Sequence, residues 1–146
     1  MTPTIFLDID GVLNDTPITV CGPRILPRCA EAVQALVAAT GAELVITSSW
    51  RKWIADGSMT TLGFERMLWT HGIRATVRGY LPIGHAALRD LAIRRYVEQH
   101  GIERWVVLDD MAMTIDNFVR TDGERGMTAA NLVDAYRILR DGTCKS

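Results

Sequence analysis

Lysine is almost missing from this chain. Only Lys52 and Lys145 occur among sixteen basic residues, so a site that needs a buried cation is expected to use arginine. Cysteine is scarce and oddly numbered: Cys21, Cys29 and Cys144, with no CxxC pair. That argues against a disulfide framework and against a structural zinc site. No apolar run approaches the length of a membrane span. The N-terminus enters a strand at once and carries acids where a secretory leader would be apolar, so a reducing, cytoplasmic setting is expected. A large charge of either sign is also missing. Formal net charge is −1, which excludes a polybasic nucleic-acid binder but leaves room for a local basic rim.

What remains is ordinary globular composition, 48% hydrophobic and 23% charged over 146 residues. That length suits one domain with a real core, and residues 1–146 are expected to form it. No repeat, linker or low-complexity segment interrupts them. Strands are predicted over 4–8, 43–47 and 105–108, with shorter ones over 73–77 and 118–120. Helices are predicted over 28–40, with Val33, Leu36 and Val37 on the apolar face, then 61–71, 86–100 and 128–139, with a helical turn from Trp50 to Trp53. Gly41, Gly72 and Gly101 are natural helix stops, and Thr128 can cap the last helix. Residues 14–27 and 79–84 read as loops. Strands alternating with helices predict an α/β fold, a parallel sheet covered on both faces.

Two strand-like stretches stop abruptly at carboxylates: Ile5-Phe6-Leu7-Asp8-Ile9-Asp10-Gly11 and Trp105-Val106-Val107-Leu108-Asp109-Asp110. Buried parallel strands are near-continuous apolar runs, and ligands of open α/β sheets bind beyond the strands' carboxyl ends. Both acidic pairs should therefore meet on one sheet edge. Carboxylates crowded together repel unless a cation lies between them, and hard oxygen clusters suit Mg²⁺. A Mg²⁺-dependent phosphoryl-transfer site is the expectation.

Asp8-Ile9-Asp10-Gly11-Val12-Leu13 resembles the first motif of the haloacid dehalogenase (HAD) superfamily, DxDGVL. Val45-Ile46-Thr47-Ser48 resembles its second motif, a strand ending in Ser or Thr. Asp109-Asp110 resembles the paired-acid form of its fourth, and Arg89 is the best candidate for the basic third. Ser48-Ser49-Trp50-Arg51, Arg89 with Ile93 and Tyr96, and Arg120-Thr121-Asp122 before Gly126-Met127-Thr128 are similar to the small HAD domains found alone, in phages, and attached to RNA-repair proteins. The resemblance covers essentially the whole chain. It implies a Rossmann-like fold and, in most members, phosphatase activity. Two features depart from the pattern: the third motif is Arg rather than Lys, and no second acid follows Asp110 closely.

The resemblance implies roles residue by residue. Asp8 would be the nucleophile that forms an aspartyl-phosphate, and would bind Mg²⁺ through its other oxygen. Asp10 would protonate the leaving alkoxide and then activate water, with its backbone carbonyl reaching the metal. Taken alone, either acid is an ordinary cap or turn residue. Ser48 would hydrogen-bond the transferring phosphoryl group, although Thr47 or Ser49 could serve, and at least two of these three hydroxyls should be plain N-caps. Arg89 would neutralise phosphoryl charge and help hold Asp8 ionised. The same helix also carries Arg94 and Arg95, and surface arginines are usually solvated. Asp110 would bind Mg²⁺ directly and Asp109 directly or through water. Asp116 is read as a helix cap rather than an outer-sphere acid, and Thr121 and Asp122 as the site rim. Trp50, Arg51 and Trp53 could stack a base, or fill core. His71, His85 and His100 show no ligand spacing.

Segment 14–27 is too short for a cap domain. The stretch of about forty residues between Ser49 and Arg89 is too little for a full α/β cap. An open site admits large substrates, such as nucleic-acid ends, and Arg51, Lys52, Arg74 and Arg78 could supply a basic rim for one. The preferred partner is thus a phosphorylated substrate, a nucleic-acid terminal phosphate or nucleotide. A small phosphorylated metabolite is the alternative within enzymes. A domain that holds a phosphorylated ligand without turnover is the alternative outside them. A receiver domain is disfavoured, because its phosphoacceptor would sit on a later strand.

Overall fold

A computed structural model describes residues 2–15, 25–82 and 88–141. Cys21, Cys144, Lys145, His85 and the first residues of the predicted 86–100 helix lie outside this range. Apolar runs form a five-stranded, wholly parallel sheet: β1 (Thr4–Leu7), β2 (Glu43–Ile46), β3 (Val77–Tyr80), β4 (Trp105–Asp109) and β5 (Phe118–Arg120), in the order β3-β2-β1-β4-β5. The chain moves outward from β1 to β2 and β3, then crosses to the other side for β4 and β5. The reversal beside β1 is the topological switch point, where α/β sheets open a crevice.

Among the described residues five helices flank the sheet: α1 (Pro27–Thr40), α2 (Lys52–Ala55, after a 3₁₀ turn Ser49–Arg51), α3 (Thr61–Thr70), α4 (Arg89–His100) and α5 (Ala129–Asp141). Alternation along β1 divides the core. Ile5 and Leu7 join Val33, Leu36, Leu68 and Leu139 on one face. Phe6 joins Ile93, Tyr96 and Trp105 on the other, where its ring meets Tyr96 and Trp105 edge-on. α4 supplies the helical cover of that second face, which matters for the site below. Thr128 caps α5 as expected, its Oγ1 accepting from the Asn131 amide. Among the described residues no cap domain is inserted, and no helix is long and apolar enough to cross a membrane.

Three predicted elements differ. The third strand is not 73–77 but Val77–Tyr80, so Gly79 and Tyr80 leave the predicted loop and enter the sheet. Ile73 and Ala75 alternate because both are buried, though in non-strand backbone. Gly79 is tolerated in the strand for a packing reason: a β-carbon there would lie 3.0 Å from the Tyr96 hydroxyl. Asp116 caps no helix. It is exposed in a bend just ahead of β5, far from the start of α5.

Candidate active site

Parallel pairing brings three strand ends to one level. Leu7 lies opposite both Ile46 and Leu108. The Asp8 amide donates to the Leu108 carbonyl at 3.1 Å, and the Thr47 amide donates to the Leu7 carbonyl at 3.0 Å. The residues just past this level are therefore neighbours: Asp8, Asp109 and Asp110, with Thr47 and Ser48 beside them. One carboxylate oxygen from each of Asp8, Asp109 and Asp110 lies within 4.8 Å of the others. The sequence motifs a hundred residues apart thus form a single acidic group.

Gly11 is what allows the approach. Its φ is +81°, and a β-carbon there would sit 2.3 Å from Asp110 Oδ2. Any side chain would both strain the turn and displace that carboxylate. The turn is pinned from outside, since Thr121 Oγ1 donates to the Gly11 carbonyl at 2.6 Å. Thr121 therefore braces the first motif. Asp122 is instead exposed, accepting from the Glu124 amide at 2.9 Å.

Arg89 enters from α4. Its Nη1 is 2.6 Å from Asp109 Oδ2 and 3.8 Å from Asp8 Oδ2, with all three side chains at most 10% exposed. The Met111 amide donates to Asp109 Oδ1 at 2.8 Å. Asp109 is thus held on both oxygens and is wholly buried. One guanidinium cannot balance three acids. Burial, and after it the charge of Asp109, pushes the Asp8 carboxyl up to about 8, with Asp110 adding to the rise and Arg89 and the Ile9 amide opposing it. Burial and the Asp109 charge raise Asp110 as well. Such a hard-oxygen set, short of positive charge, fits a divalent cation.

Asp10 stands apart from this group. Trp50 Nε1 donates to its Oδ2 at 3.2 Å and Asn14 Nδ2 to its Oδ1 at 3.1 Å. Asn14 Oδ1 in turn accepts from the Gly11 amide at 2.9 Å. Neither partner was singled out from the sequence as one for Asp10. Asn14 carried a signal, because Asn in a tight turn commonly bonds a nearby backbone amide, whereas Trp50 is forty residues away.

The three hydroxyls of the second motif separate. Ser48 is buried and caps the 3₁₀ turn, its Oγ accepting from the Trp50 amide at 3.2 Å. A hydroxyl that accepts still has its proton to give. Thr47 Oγ1 is buried without a hydrogen-bond partner, and Ser49 is exposed.

Two of the four residues expected in a basic rim, Arg51 and Arg74, do not join one. Arg51 is only 7% exposed, folded beneath the site, where its Nη1 donates to the Thr47 carbonyl and, at 2.9 Å, to that of Ser48. Burial and then the charge of Arg89 lower its pKa. Arg74 precedes β3 at the opposite edge of the sheet and lies over the Trp69 ring. Lys52 and Arg78 are exposed. The short spacing from Thr47 and Ser48 to Arg51 was the available signal, since residues three and four apart can close onto one another's carbonyls in a helical turn.

No curated protein and no solved structure matches this chain. The family model for the HAD domain in Swiss Army Knife RNA repair proteins matches residues 4–132. That span includes the three strand ends and the arginine of α4 described above. The chain belongs to this family of small HAD domains.

Proposed function

We propose that residues 1–146 act as a Mg²⁺-dependent phosphohydrolase working through an aspartyl-phosphate on Asp8, with a nucleic-acid terminal phosphate or nucleotide as substrate. The observation that carries this reading is the convergence of Asp8, Asp109 and Asp110 within 4.8 Å, with Arg89 bridging two of them. Asp8, Asp109 and Asp110, with the Asp10 backbone carbonyl, are the groups that would hold Mg²⁺. When bound, the ion supplies positive charge that keeps Asp8 ionised and offsets charge on the phosphoryl oxygens.

The protein's own groups then divide the work. Asp8 attacks phosphorus as the ester P–O bond breaks. Asp10, whose carboxylate is oriented by Trp50 and Asn14, gives a proton to the departing alkoxide. It later takes one from the water that cleaves the aspartyl-phosphate. Arg89 and the Ser48 hydroxyl receive phosphoryl charge. The acid at position 10 supports hydrolysis over mere retention of a phosphorylated ligand, because retention needs no proton donor beside the leaving oxygen.

The test is phosphate release with and without Mg²⁺ by wild type and Asp8→Asn. An aryl phosphate, a small sugar phosphate, and oligonucleotides bearing 3′- or 5′-phosphate serve as substrates. Metal-dependent release lost in Asp8→Asn is expected, with oligonucleotides preferred. Release of similar size from Asp8→Asn overturns the mechanism, and preference for the sugar phosphate overturns the substrate class.

A further inference from the structure

A cavity of about 380 Å³ opens beside the acidic group, between α4 and the segment after β3. It is within the size range of small-molecule sites, about 300–1,000 Å³. Arg89 belongs to both places: it touches Asp109 and Asp8, and it also lines the cavity. Arg51 and Arg95 line it too, and among the described residues that do so there is no carboxylate. Leu81 and Tyr96 form an apolar wall. Leu88, 53% exposed, stands at the rim.

Arg51 needs explanation. Its hydrogen-bonded partners are two backbone carbonyls, and its Nε is buried without one. Asp8 and Asp109 lie near enough to favour the charge of Arg51, but its hydrogen bonds go only to carbonyls, so this guanidinium on the cavity wall keeps donor capacity for an anion there. Arg95 stands on the exposed side of α4, two turns from Leu88 and one turn before Gln99, both of which line the same cavity. Three guanidiniums thus line one cavity, Arg89 linking it to the acidic group, and its apolar wall suits a body less polar than a polyol.

We propose that this cavity is a subsite for a second phosphate and its attached nucleoside, so that the substrate is a nucleotide carrying a further phosphate beside the one that is removed. Arg89 faces the scissile group, Arg51 and Arg95 take the second anion, and Leu81, Tyr96 and Leu88 receive the apolar body. The second anion has two sources, a free nucleoside bisphosphate or the internucleotide phosphate of a nucleic-acid end. The inference rests on the phosphohydrolase reading for which phosphate is cleaved, but its binding readout does not depend on turnover.

The test uses full-length Asp8→Asn protein with Mg²⁺, titrated calorimetrically with adenosine 3′,5′-bisphosphate and with the 3′- and 5′-monophosphates. The bisphosphate is expected to bind about tenfold more tightly than the better monophosphate, the size of one charge-assisted contact. Adding Arg95→Gln, or Gln99→Glu at the same cavity, should erase most of that ratio. Equal binding of bisphosphate and monophosphate overturns the proposal, as does a ratio that survives both substitutions. An adenosine dinucleotide with a terminal 3′-phosphate separates the sources. Tighter binding than the bisphosphate points to nucleic-acid ends, and weaker binding to free nucleotides. If wild type releases no phosphate while the bisphosphate ratio persists, the catalytic reading falls and the subsite stands. Mg²⁺-dependent release without the ratio means the reverse.

Discussion

Asp8 and Asp10 are two residues apart in one motif, yet they occupy unlike surroundings. Asp8 is 6% exposed, faces Asp109 and Asp110, and has its carboxyl pushed up to about 8. Asp10 is half-buried and receives an N–H on each oxygen, from Trp50 and from Asn14. A single turn at Gly11 sends one carboxylate into a crowd of acids and leaves the other among donors. The difference matches two tasks. A nucleophile that attacks phosphorus must be kept anionic by positive charge supplied nearby. A proton carrier must be aimed and must be able to change state. Under the proposed function, environment rather than residue type would divide the roles.

Removing either acid should expose that division. Asp8→Asn is expected to lower kcat by about 10⁴-fold or more on every substrate, as loss of a nucleophile does. Asp10→Asn should slow aspartyl-phosphate formation about 10²–10⁴-fold from alkyl phosphates and much less from an aryl phosphate, whose leaving oxygen needs little protonation, while slowing hydrolysis of the intermediate equally for both. Steady-state rates check Asp8→Asn, and pre-steady-state release of the leaving alcohol or phenol checks Asp10→Asn. An equal loss in the formation step on both substrates would remove the assigned proton donation.

Gly11→Ala pushes directly on the crowded side. Its β-carbon would overlap Asp110 Oδ2, so Mg²⁺ affinity should fall about ten- to hundredfold, the scale of a disturbed ligand environment. Calorimetric Mg²⁺ titration reads this. Titration of Asp8 gives a further contrast. Its folded pKa of about 8 lies above the ordinary value of 3.8, so the folded state holds the extra proton between these limits. Metal-free protein should therefore be most stable near the acid end of that window and lose stability as pH rises from 3.8 through 8. Mg²⁺ needs the ionised carboxylate, so its stabilising effect should grow over the same range. Thermal melts across that range, with and without Mg²⁺, measure both slopes, and Asp8→Asn should flatten the metal-free one. Smallest is the expected effect of Trp50→Phe. It deletes one N–H donor to Asp10 and should cost about three- to tenfold in kcat, with KM little changed.

Much of this arrangement was readable along the chain. Apolar runs ending in Asp8 and Asp109 marked buried parallel strands, and sheet topology alone required their ends to meet. Arg89 was found because the family's third motif is a basic residue on the helix before the last acidic strand, and the predicted 86–100 helix carries one there. Gly79 and Trp50 depend on contacts made across long separations, whereas Arg51 closes onto residues three and four away. Gly79 reads as loop until Tyr96 lies over it. Arg51 reads as a surface cation until a 3₁₀ turn folds it onto the carbonyls of Thr47 and Ser48. Trp50 does fill core, one of its two readings, but its indole N–H also meets Asp10. Local propensity says nothing about such partners, whereas the run of a strand and the spacing of a helix are local properties.

The most direct measurement is the fate of the phosphoryl group on the enzyme. Wild type mixed with Mg²⁺ and its preferred substrate, quenched in acid during turnover and digested, is predicted to yield a phosphorylated peptide containing Asp8. The Asp8→Asn protein should yield none. Steady turnover with no phosphoryl group on Asp8, or with it on another residue, would contradict the account.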